Sequence, residues 1–258
     1  MEALGVSYIR TQIANVCFVK TGENGKETWV LIDAGIPGSK DQILNAVAER
    51  FGESARPEAI ILTHGHFDHV GAVIDLAQHW DVPVYAHELE LPYLTGKADY
   101  PEPDPTVGGG LVAYISPVFP HGGIDLGRRV HALPQNGSVP KMPGWCWIHT
   151  PGHTEGHVSL YRDEDGTLIA GDAFITTKQE SLLSVLTQAR EIHGPPAYFT
   201  PDWQSSWESV RKLRALHPRF AITGHGRPMS GQPLSDGLDR LAHEFDRIAI
   251  PHHGRYVH

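Results

Sequence analysis

Short apolar runs alternate with longer amphipathic stretches along most of this chain. Runs of four or five residues that are rich in branched and aromatic side chains are typical of buried strands. In the longer stretches apolar residues recur three or four positions apart, as they do from Ser209 to Leu216, which indicates helices with one buried face. The predicted strands are Val16–Val19, Thr28–Ile32, Ala59–Leu62, Val82–Ala86, Trp145–His149, Val158–Tyr161, Thr167–Ala170 and Phe220–Thr223. The predicted helices are Lys40–Phe51, Val70–His79, Lys178–Ala189, Asp202–Leu216 and Leu234–Ala249.

The order of these elements predicts the domain organisation. Strands and helices interleave, and no linker or legible repeat divides the chain, so we expect one α/β domain over residues 1–258 with helices covering sheet layers. A chain of 258 residues is long enough to bury a sizeable core.

The segment that follows the predicted strand Ala59–Leu62 concentrates metal-binding side chains. Thr63-His64-Gly65-His66-Phe67-Asp68-His69 holds three imidazoles and one carboxylate, the ligand set expected for a divalent cation such as zinc. An apolar run that leads straight into the cluster is typical of a buried strand that presents ligands at its C-terminal end. The alternative, a solvated His-rich loop, does not explain that run.

Three further segments repeat the same arrangement. His153, Asp172 and His225 each follow a short apolar strand candidate and are each flanked by Gly. Glycine allows turn conformations and close approach of the backbone to a ligand. We therefore expect all of these side chains to meet at one edge of the predicted sheets.

Taken together and in this order, these motifs resemble the metallo-β-lactamase-fold superfamily over most of the chain, from Leu31-Ile-Asp33-Ala-Gly35 to His225. The resemblance implies an α/β (α+β) fold, a four-layer αββα sandwich with a dinuclear metal site at one edge. Asp33 would be a buried carboxylate that orients a metal-bound histidine, although a helix cap or turn residue is an equal alternative. By position, the resemblance implies that His64, His66 and His153 bind the first metal, that Asp68, His69 and His225 bind the second, and that Asp172 bridges them.

The implied chemistry is hydrolysis. Two divalent ions, zinc with iron or manganese as alternatives, would activate a bridging hydroxide against a small ester, lactone or thioester, and Asp68 and Asp172 would hold the nucleophile or relay its proton. An iron-dependent oxidoreductase resembling persulfide dioxygenases is a second class, and a non-catalytic metal-binding module is a third. Flavodiiron proteins usually carry Glu at the position of His66, which disfavours that branch.

Departures from the better-known branches restrict the substrate. A carboxylate at Asp172 is similar to glyoxalase II and lactonase enzymes, whereas many true lactamases have Cys there. Ile175 stands where quorum-signal lactonases carry a Tyr, and the glutathione-binding pattern of glyoxalase II is not evident. His157 competes with His153 for a ligand position, but similar family members keep such a histidine outside the metal site, so we expect it not to bind metal.

Residues 95–123 form the least regular stretch. It contains five prolines and Gly108-Gly109-Gly110, yet Tyr100, Leu111 and Phe119 make it too apolar for a simple linker. Long segments of this kind are usually functional or disordered. We expect a lid or pocket wall near the metals, with a surface loop as the alternative, and His121 inside it as a solvated residue or a substrate contact.

Charge, cysteines and hydropathy restrict partners and location. The net charge of -9 and the lack of a cluster of Lys and Arg argue against a nucleic-acid partner, so a small-molecule substrate is expected. Cys17 and Cys146 form no CxxC pair and are expected to be buried free thiols. No signal peptide or transmembrane run is legible, which predicts a cytoplasmic protein without a membrane partner. The sequence does not predict the oligomeric state.

Overall fold

Two mixed β-sheets lie at the centre of the fold. The structure is a computed structural model that describes residues 5–22, 27–107, 111–177 and 191–257. The first sheet has six strands in chain order: β1 Val6–Thr11, β2 Ala14–Lys20, β3 Trp29–Ile32, β4 Ile60–Ile61, β5 Val84–Ala86 and β6 Val130–Ala132. Its first three strands are antiparallel, and β3 to β6 are parallel.

The second sheet has the order β11-β10-β9-β8-β7. Its strands are β7 Trp145–His149, β8 Val158–Arg162, β9 Thr167–Gly171, β10 Phe220–Thr223 and β11 Met229–Ser230. Only the pairing of β9 with β10 is parallel. The described helices are α1 Lys40–Phe51, α2 Phe67–Val70, α3 Val73–Trp80, α4 Leu91–Leu94, α5 Leu111–Ile115, α6 Trp203–Arg214, α7 Gly231–His243 and α8 Phe245–Ile248.

Three apolar clusters show how the layers are stacked. Successive residues of a strand point to opposite faces, so Leu31 of β3 packs with α1 and α3 while its neighbour Ile32 packs between the two sheets. Ile169 and Ile222 of the second sheet complete that inner layer. Helices α6 and α7 cover the outer face of the second sheet. The predicted αββα sandwich is confirmed.

Two predicted helices are each interrupted. The stretch predicted as Val70–His79 is divided into α2 and α3, because Gly71 is held against the preceding loop. The Gly71 N–H donates to the Gly35 carbonyl at 2.7 Å. A Cβ at this position would lie 2.1 Å from the carbonyl carbon of Ile36. The stretch predicted as Leu234–Ala249 breaks between α7 and α8, where Glu244 takes a non-helical conformation. The predicted helix Lys178–Ala189 lies outside the described residues.

The thiols are both free, but the expectation that both are buried is wrong for Cys146. Cys17 is buried in the inner layer, whereas Cys146 is exposed. Strand β7 is an edge strand, and its alternation turns Trp145 inward and Cys146 outward.

Residues 95–123 are less irregular than their composition predicts. They contain α5 and a 3-10 turn at Ser116–Val118. None of the helices in the described part of the chain has the length and the apolar character needed to span a bilayer.

Candidate metal centre

The strand ends deliver the predicted ligands to one edge of the sandwich. β4 leads into His64 and His66, and the short helix α2 then carries Asp68 and His69. Asp172 comes directly after β9 in the second sheet. The loop after β7 supplies His153, and the loop after β10 supplies His225.

All seven predicted ligands are buried and lie in one cluster. Within each of three overlapping groups, the possible ligand atoms lie within 4.8 Å of one another. Asp172 connects the groups: its Oδ2 lies 3.0 Å from His225 Nε2 and 3.5 Å from His153 Nε2, and its Oδ1 lies 3.6 Å from His69 Nε2. The three groups are His64, His66 and His153; His64, His69 and Asp172; and Asp68, His69 and His225.

Hydrogen bonds at Nδ1 fix the direction of four of these imidazoles. His69 donates to Asp33 Oδ2 at 2.8 Å, and His225 donates to the Ile13 carbonyl at 2.9 Å. The hydroxyls of Thr63 and Thr200 donate elsewhere, so they accept from His64 and His153 at 3.1 Å and 3.3 Å. In His64 and His153, whose pKa is lowered, Nε2 is therefore the unprotonated nitrogen, which is the form that binds a metal. In His69 and His225 the same contacts direct Nε2 toward the carboxylate of Asp172.

Three buried atoms of this cluster have no hydrogen-bond partner among the described residues. They are Nε2 of His64, Nε2 of His69 and Oδ1 of Asp172. Leaving such atoms unpaired in the interior costs about 1–3 kcal/mol each. Imidazole nitrogens and carboxylate oxygens suit divalent metals, so the donor set fits the ions that the sequence implies.

The pKa shifts of the histidines separate the two halves of the cluster. Burial, together with the neighbouring imidazoles, lowers the pKa of His64 and His153 well below the ordinary value and that of His66 to about 3. Burial is the largest single effect on His69 and His225 and acts to lower their pKa, but the nearby carboxylates, with Asp172 foremost, together outweigh it and raise both pKa values. The histidines of the first group are therefore neutral and ready to act as ligands.

His157 lies beside the cluster, but protein groups engage both of its ring nitrogens. Nε2 accepts the backbone N–H of Asp172 at 2.8 Å, and Nδ1 donates to the Thr150 hydroxyl at 2.8 Å. Burial lowers the pKa of His157 to about 3, so the ring stays neutral. Its contacts position the backbone of Asp172, which is consistent with its exclusion from the predicted ligands.

Asp33 has the first of the two roles given above: it is a buried carboxylate that orients a histidine of the cluster. It follows β3 with a left-handed backbone (φ 61°), a conformation that Asp tolerates better than most residues. Its Oδ1 accepts the Thr63 N–H and its Oδ2 accepts the Thr63 hydroxyl, both at 2.8 Å, in addition to His69 Nδ1. One carboxylate therefore fixes the start and the end of the first ligand cluster.

Glu90 is a buried carboxylate that the sequence analysis missed. Its Oε2 accepts the Gly65 N–H at 2.9 Å and the Tyr100 hydroxyl, and its Oε1 accepts the Thr154 hydroxyl at 2.6 Å and the Gly156 N–H at 3.0 Å. Burial raises its pKa despite these four donors. Glu90 thus ties together both first-group ligand loops and residues 95–123. The sequence signal was weak, since Glu88 and Glu90 both follow β5.

A cavity of about 200 Å³ adjoins the first group of histidines. His66 and His153 form its inner wall, and Tyr100 and Glu102 bring residues 95–123 to its side. His121 is not among the described lining residues; its Nδ1 lies 3.4 Å from the Phe119 carbonyl. Ile175 is buried and pairs with His193 through backbone hydrogen bonds, so it presents no polar group to the site.

Comparison with known proteins places the chain among metal-dependent enzymes. The family profile described as the metallo-beta-lactamase superfamily matches residues 10–225. The chain is 51% identical over 246 residues to "Probable metallo-hydrolase YflN" of Bacillus subtilis, across 95% of this chain and 93% of that protein. It is 28% identical over 144 residues to hydroxyacylglutathione hydrolase GloC of Haemophilus influenzae, across 55% of this chain and 59% of that one. It is also similar to the crystal structure of TTHA1623 in a di-iron-bound form, with a TM-score of 0.56, 28% identity, and coverage of 87% of this chain and 93% of that chain.

Proposed function

The chain belongs to the metallo-beta-lactamase superfamily, and on that premise we propose that it is a dinuclear metal-dependent hydrolase of a small ester, lactone or thioester. The observation that carries the proposal is the set of three buried atoms without a hydrogen bond, on His64, His69 and Asp172, in a cluster that opens onto a cavity. Buried polar groups are usually hydrogen-bonded within the protein, so three such atoms in one group of metal-binding side chains support a bound ligand.

We assign the ligands by the groups in which they lie. His64, His66 and His153 would hold one ion, and Asp68, His69 and His225 would hold the other. Asp172 forms the remaining group with His64 of the first set and His69 of the second, so it would contribute to both. Zinc is the ion we propose, because neutral imidazole and carboxylate are its usual oxygen and nitrogen ligands. Bound divalent metals supply an activated water at neutral pH and polarise the carbonyl oxygen of the substrate.

The remaining chemistry is assigned to the chain itself. Asp68 and Asp172 are the two carboxylates of the cluster, with Oδ2 atoms 3.4 Å and 3.0 Å from His225 Nε2, and we assign to them the holding of the nucleophilic water and the transfer of its proton. Tyr100, Tyr198 and Phe199 line the cavity and are buried, so they would keep water from the part of the acyl group next to the carbonyl. The thiols of Cys17 and Cys146 are free, which supports a cytoplasmic location.

The test measures hydrolysis and metal content on the same preparation. Purified protein is assayed against an ester, a lactone and a thioester before chelation, after chelation and after zinc is restored. We expect two metals per chain and hydrolysis of at least one class, lost on chelation and regained with zinc. Fewer than one metal per chain together with no hydrolysis would contradict the proposal.

An iron-dependent oxidoreductase is the second candidate, favoured by the di-iron form of the similar structure. It predicts iron in the isolated protein, oxygen uptake with a persulfide substrate and an iron spectrum that changes under anaerobic reduction. Hydrolysis by the zinc form without oxygen uptake would exclude it. A non-catalytic module predicts bound metal without turnover.

A further inference from the structure

The walls of the cavity beside the first group of histidines are aromatic. Five of the thirteen residues that line it are Tyr or Phe: Tyr93, Tyr100, Tyr198, Phe199 and Tyr256. The ring of Phe199 stacks on His66 with centroids 4.6 Å apart, and Tyr93 stacks on Tyr100 at 4.0 Å. Apolar walls next to the reacting centre suit an apolar part of a substrate.

The charged residues of this lining are all acidic at neutral pH. Glu102, Glu155 and Asp202 line the cavity, and none of the described lining residues is Lys or Arg. The three carboxylates are exposed, whereas His66 and His153 are buried, so the carboxylates surround the mouth and the histidines form the floor.

Neighbouring groups offset two of these charges. Arg255 Nη1 lies 3.1 Å from Glu102 Oε2. Asp202 caps helix α6 and accepts the Ser205 N–H at 2.9 Å and hydroxyl at 2.7 Å, where the helix terminus favours a negative charge. Glu155 is the third of these carboxylates, and its charge acts on the wall of the cavity. Burial is the main cause of the raised pKa of Tyr93, and the carboxylates of Glu155 and Glu90 raise it further.

A substrate carbonyl that reacts at the floor directs the far end of its acyl group toward this mouth. Taking the hydrolase described above as given, we propose that the cavity selects acyl groups that are apolar near the carbonyl and neutral or cationic at the far end, and that it rejects acyl groups ending in a carboxylate. Glu155 is the residue that sets this preference. The same charge disfavours retention of anionic products at the mouth.

The test uses three p-nitrophenyl esters of equal length whose acyl chains end in a methyl group, a trimethylammonium group or a carboxylate. With metal-loaded full-length protein at low salt, we expect kcat/KM for the methyl and trimethylammonium esters to exceed that for the carboxylate ester by about tenfold. Raising the salt concentration to about 0.5 M should reduce the difference, because charges at an exposed mouth are screened.

Two matched variants locate the effect. Glu155→Gln should reduce the ratio of kcat/KM between the trimethylammonium and carboxylate esters by about threefold, with the metal content of the protein retained. Glu49→Gln is the control, since that carboxylate is 79% exposed on α1, which covers the other sheet, and it should leave the ratio unchanged.

The outcomes separate this inference from the function on which it rests. Hydrolysis of the methyl ester with an equal or faster rate for the carboxylate ester would overturn the inference alone. A preference that neither salt nor Glu155→Gln alters would also overturn it, because the preference would then not be electrostatic. Failure to hydrolyse any ester, lactone or thioester with two metals bound would overturn both.

Discussion

Asp33 receives a hydrogen bond from His69 Nδ1 at 2.8 Å, although the two residues lie 36 positions apart and neither is exposed. The same carboxylate accepts both donors of Thr63, whose hydroxyl in turn accepts from His64 Nδ1. The orientations of two proposed ligands therefore depend on one group outside the metal site. Such partners keep the ligand nitrogen unprotonated and correctly directed.

Asp33→Asn should weaken metal binding without unfolding the protein. The amide has the size of the carboxylate, but its NH₂ group would face donors that need an acceptor. We expect metal affinity to fall by about 10- to 100-fold, measured by competition with a chromophoric chelator. Asp81→Asn is the matched control, because Asp81 also has a left-handed backbone (φ 51°) but its side chain is 81% exposed. Equal affinity for both variants and wild type would contradict the role of Asp33.

His153→Ala and His157→Ala should have opposite effects on metal content. His153→Ala removes a proposed ligand, so the chain should lose at least one metal and its turnover. His157→Ala should retain wild-type stoichiometry, but it leaves the Asp172 N–H and the Thr150 hydroxyl without their partner and should lower the free energy of unfolding by about 1–3 kcal/mol. Elemental analysis and urea unfolding measure the two quantities. Loss of metal in His157→Ala alone would reverse the assignment.

The sequence was sufficient to predict that the seven candidate ligands meet in one cluster, because they follow strands with a strong apolar signal. β4, β9 and β10 are interior strands, and their apolar runs end where the ligands begin. Side chains at the ends of such strands meet at one edge of the sandwich, and the spacing and type of these residues in the sequence indicate the site. The prediction of the fold relied on the family resemblance for the way in which the two sheets stack.

Three edge strands escaped prediction because they are very short or only partly buried. β1 mixes exposed and buried positions, and β6 and β11 have three and two residues, so none forms an apolar run.

Glu90 escaped for another reason. Its four donors come from segments up to 66 positions away, and no local pattern distinguishes it from its exposed neighbour Glu88.

Glu90→Gln should destabilise the loops that carry the first group of histidines. The NH₂ group of Gln would replace one carboxylate oxygen and would face N–H and O–H donors, so the buried hydrogen bonds to that oxygen would be lost. We expect the free energy of unfolding to fall by about 1–3 kcal/mol and kcat/KM to fall with it. Tyr100→Phe is the milder comparison, because it removes one donor and keeps the ring stacked on Tyr93. A larger loss in Tyr100→Phe than in Glu90→Gln would show that the Tyr100 hydroxyl, and not the set of four hydrogen bonds to Glu90, organises these loops.

Asp165 should make the stability of the second sheet depend on pH. Burial alone would raise its pKa, but its hydrogen bonds with Arg162 and Thr167 lower it to about 2. A pKa that is depressed on folding stabilises the protein above the unfolded value near 3.8, and this contribution is lost as the pH falls toward 2. Asp165→Asn should cost no more than about 1 kcal/mol at pH 7, and the difference from wild type should narrow at pH 3.5. Urea unfolding at both pH values measures it, and a difference that widened on acidification would be inconsistent with this sign.

Tyr256→Ala should change substrate binding and leave the metals in place. The C-terminal residues Arg255 and Tyr256 fasten residues 95–123 to the cavity: the Arg255 N–H and guanidinium bond to Asp104 and Glu102, and the Tyr256 hydroxyl donates to the Glu102 carbonyl at 3.0 Å. Tyr256 also lines the cavity. Point variants therefore test the pocket-wall hypothesis better than a shortened segment, which would also remove the contact of Tyr100 with Glu90.

We expect KM for apolar esters to rise by about three- to tenfold in Tyr256→Ala, with kcat within twofold of wild type, because the lost wall binds ground state and transition state alike. Steady-state kinetics and elemental analysis measure this split. Tyr114→Ala is the matched control: Tyr114 lies in the same 95–123 segment, on α5, but is 76% exposed and is not among the described lining residues. An unchanged KM in Tyr256→Ala would indicate that residues 95–123 are a surface loop. Loss of metal would indicate that Arg255 and Tyr256 support the metal centre. A raised KM with two metals retained is the result that a pocket wall requires.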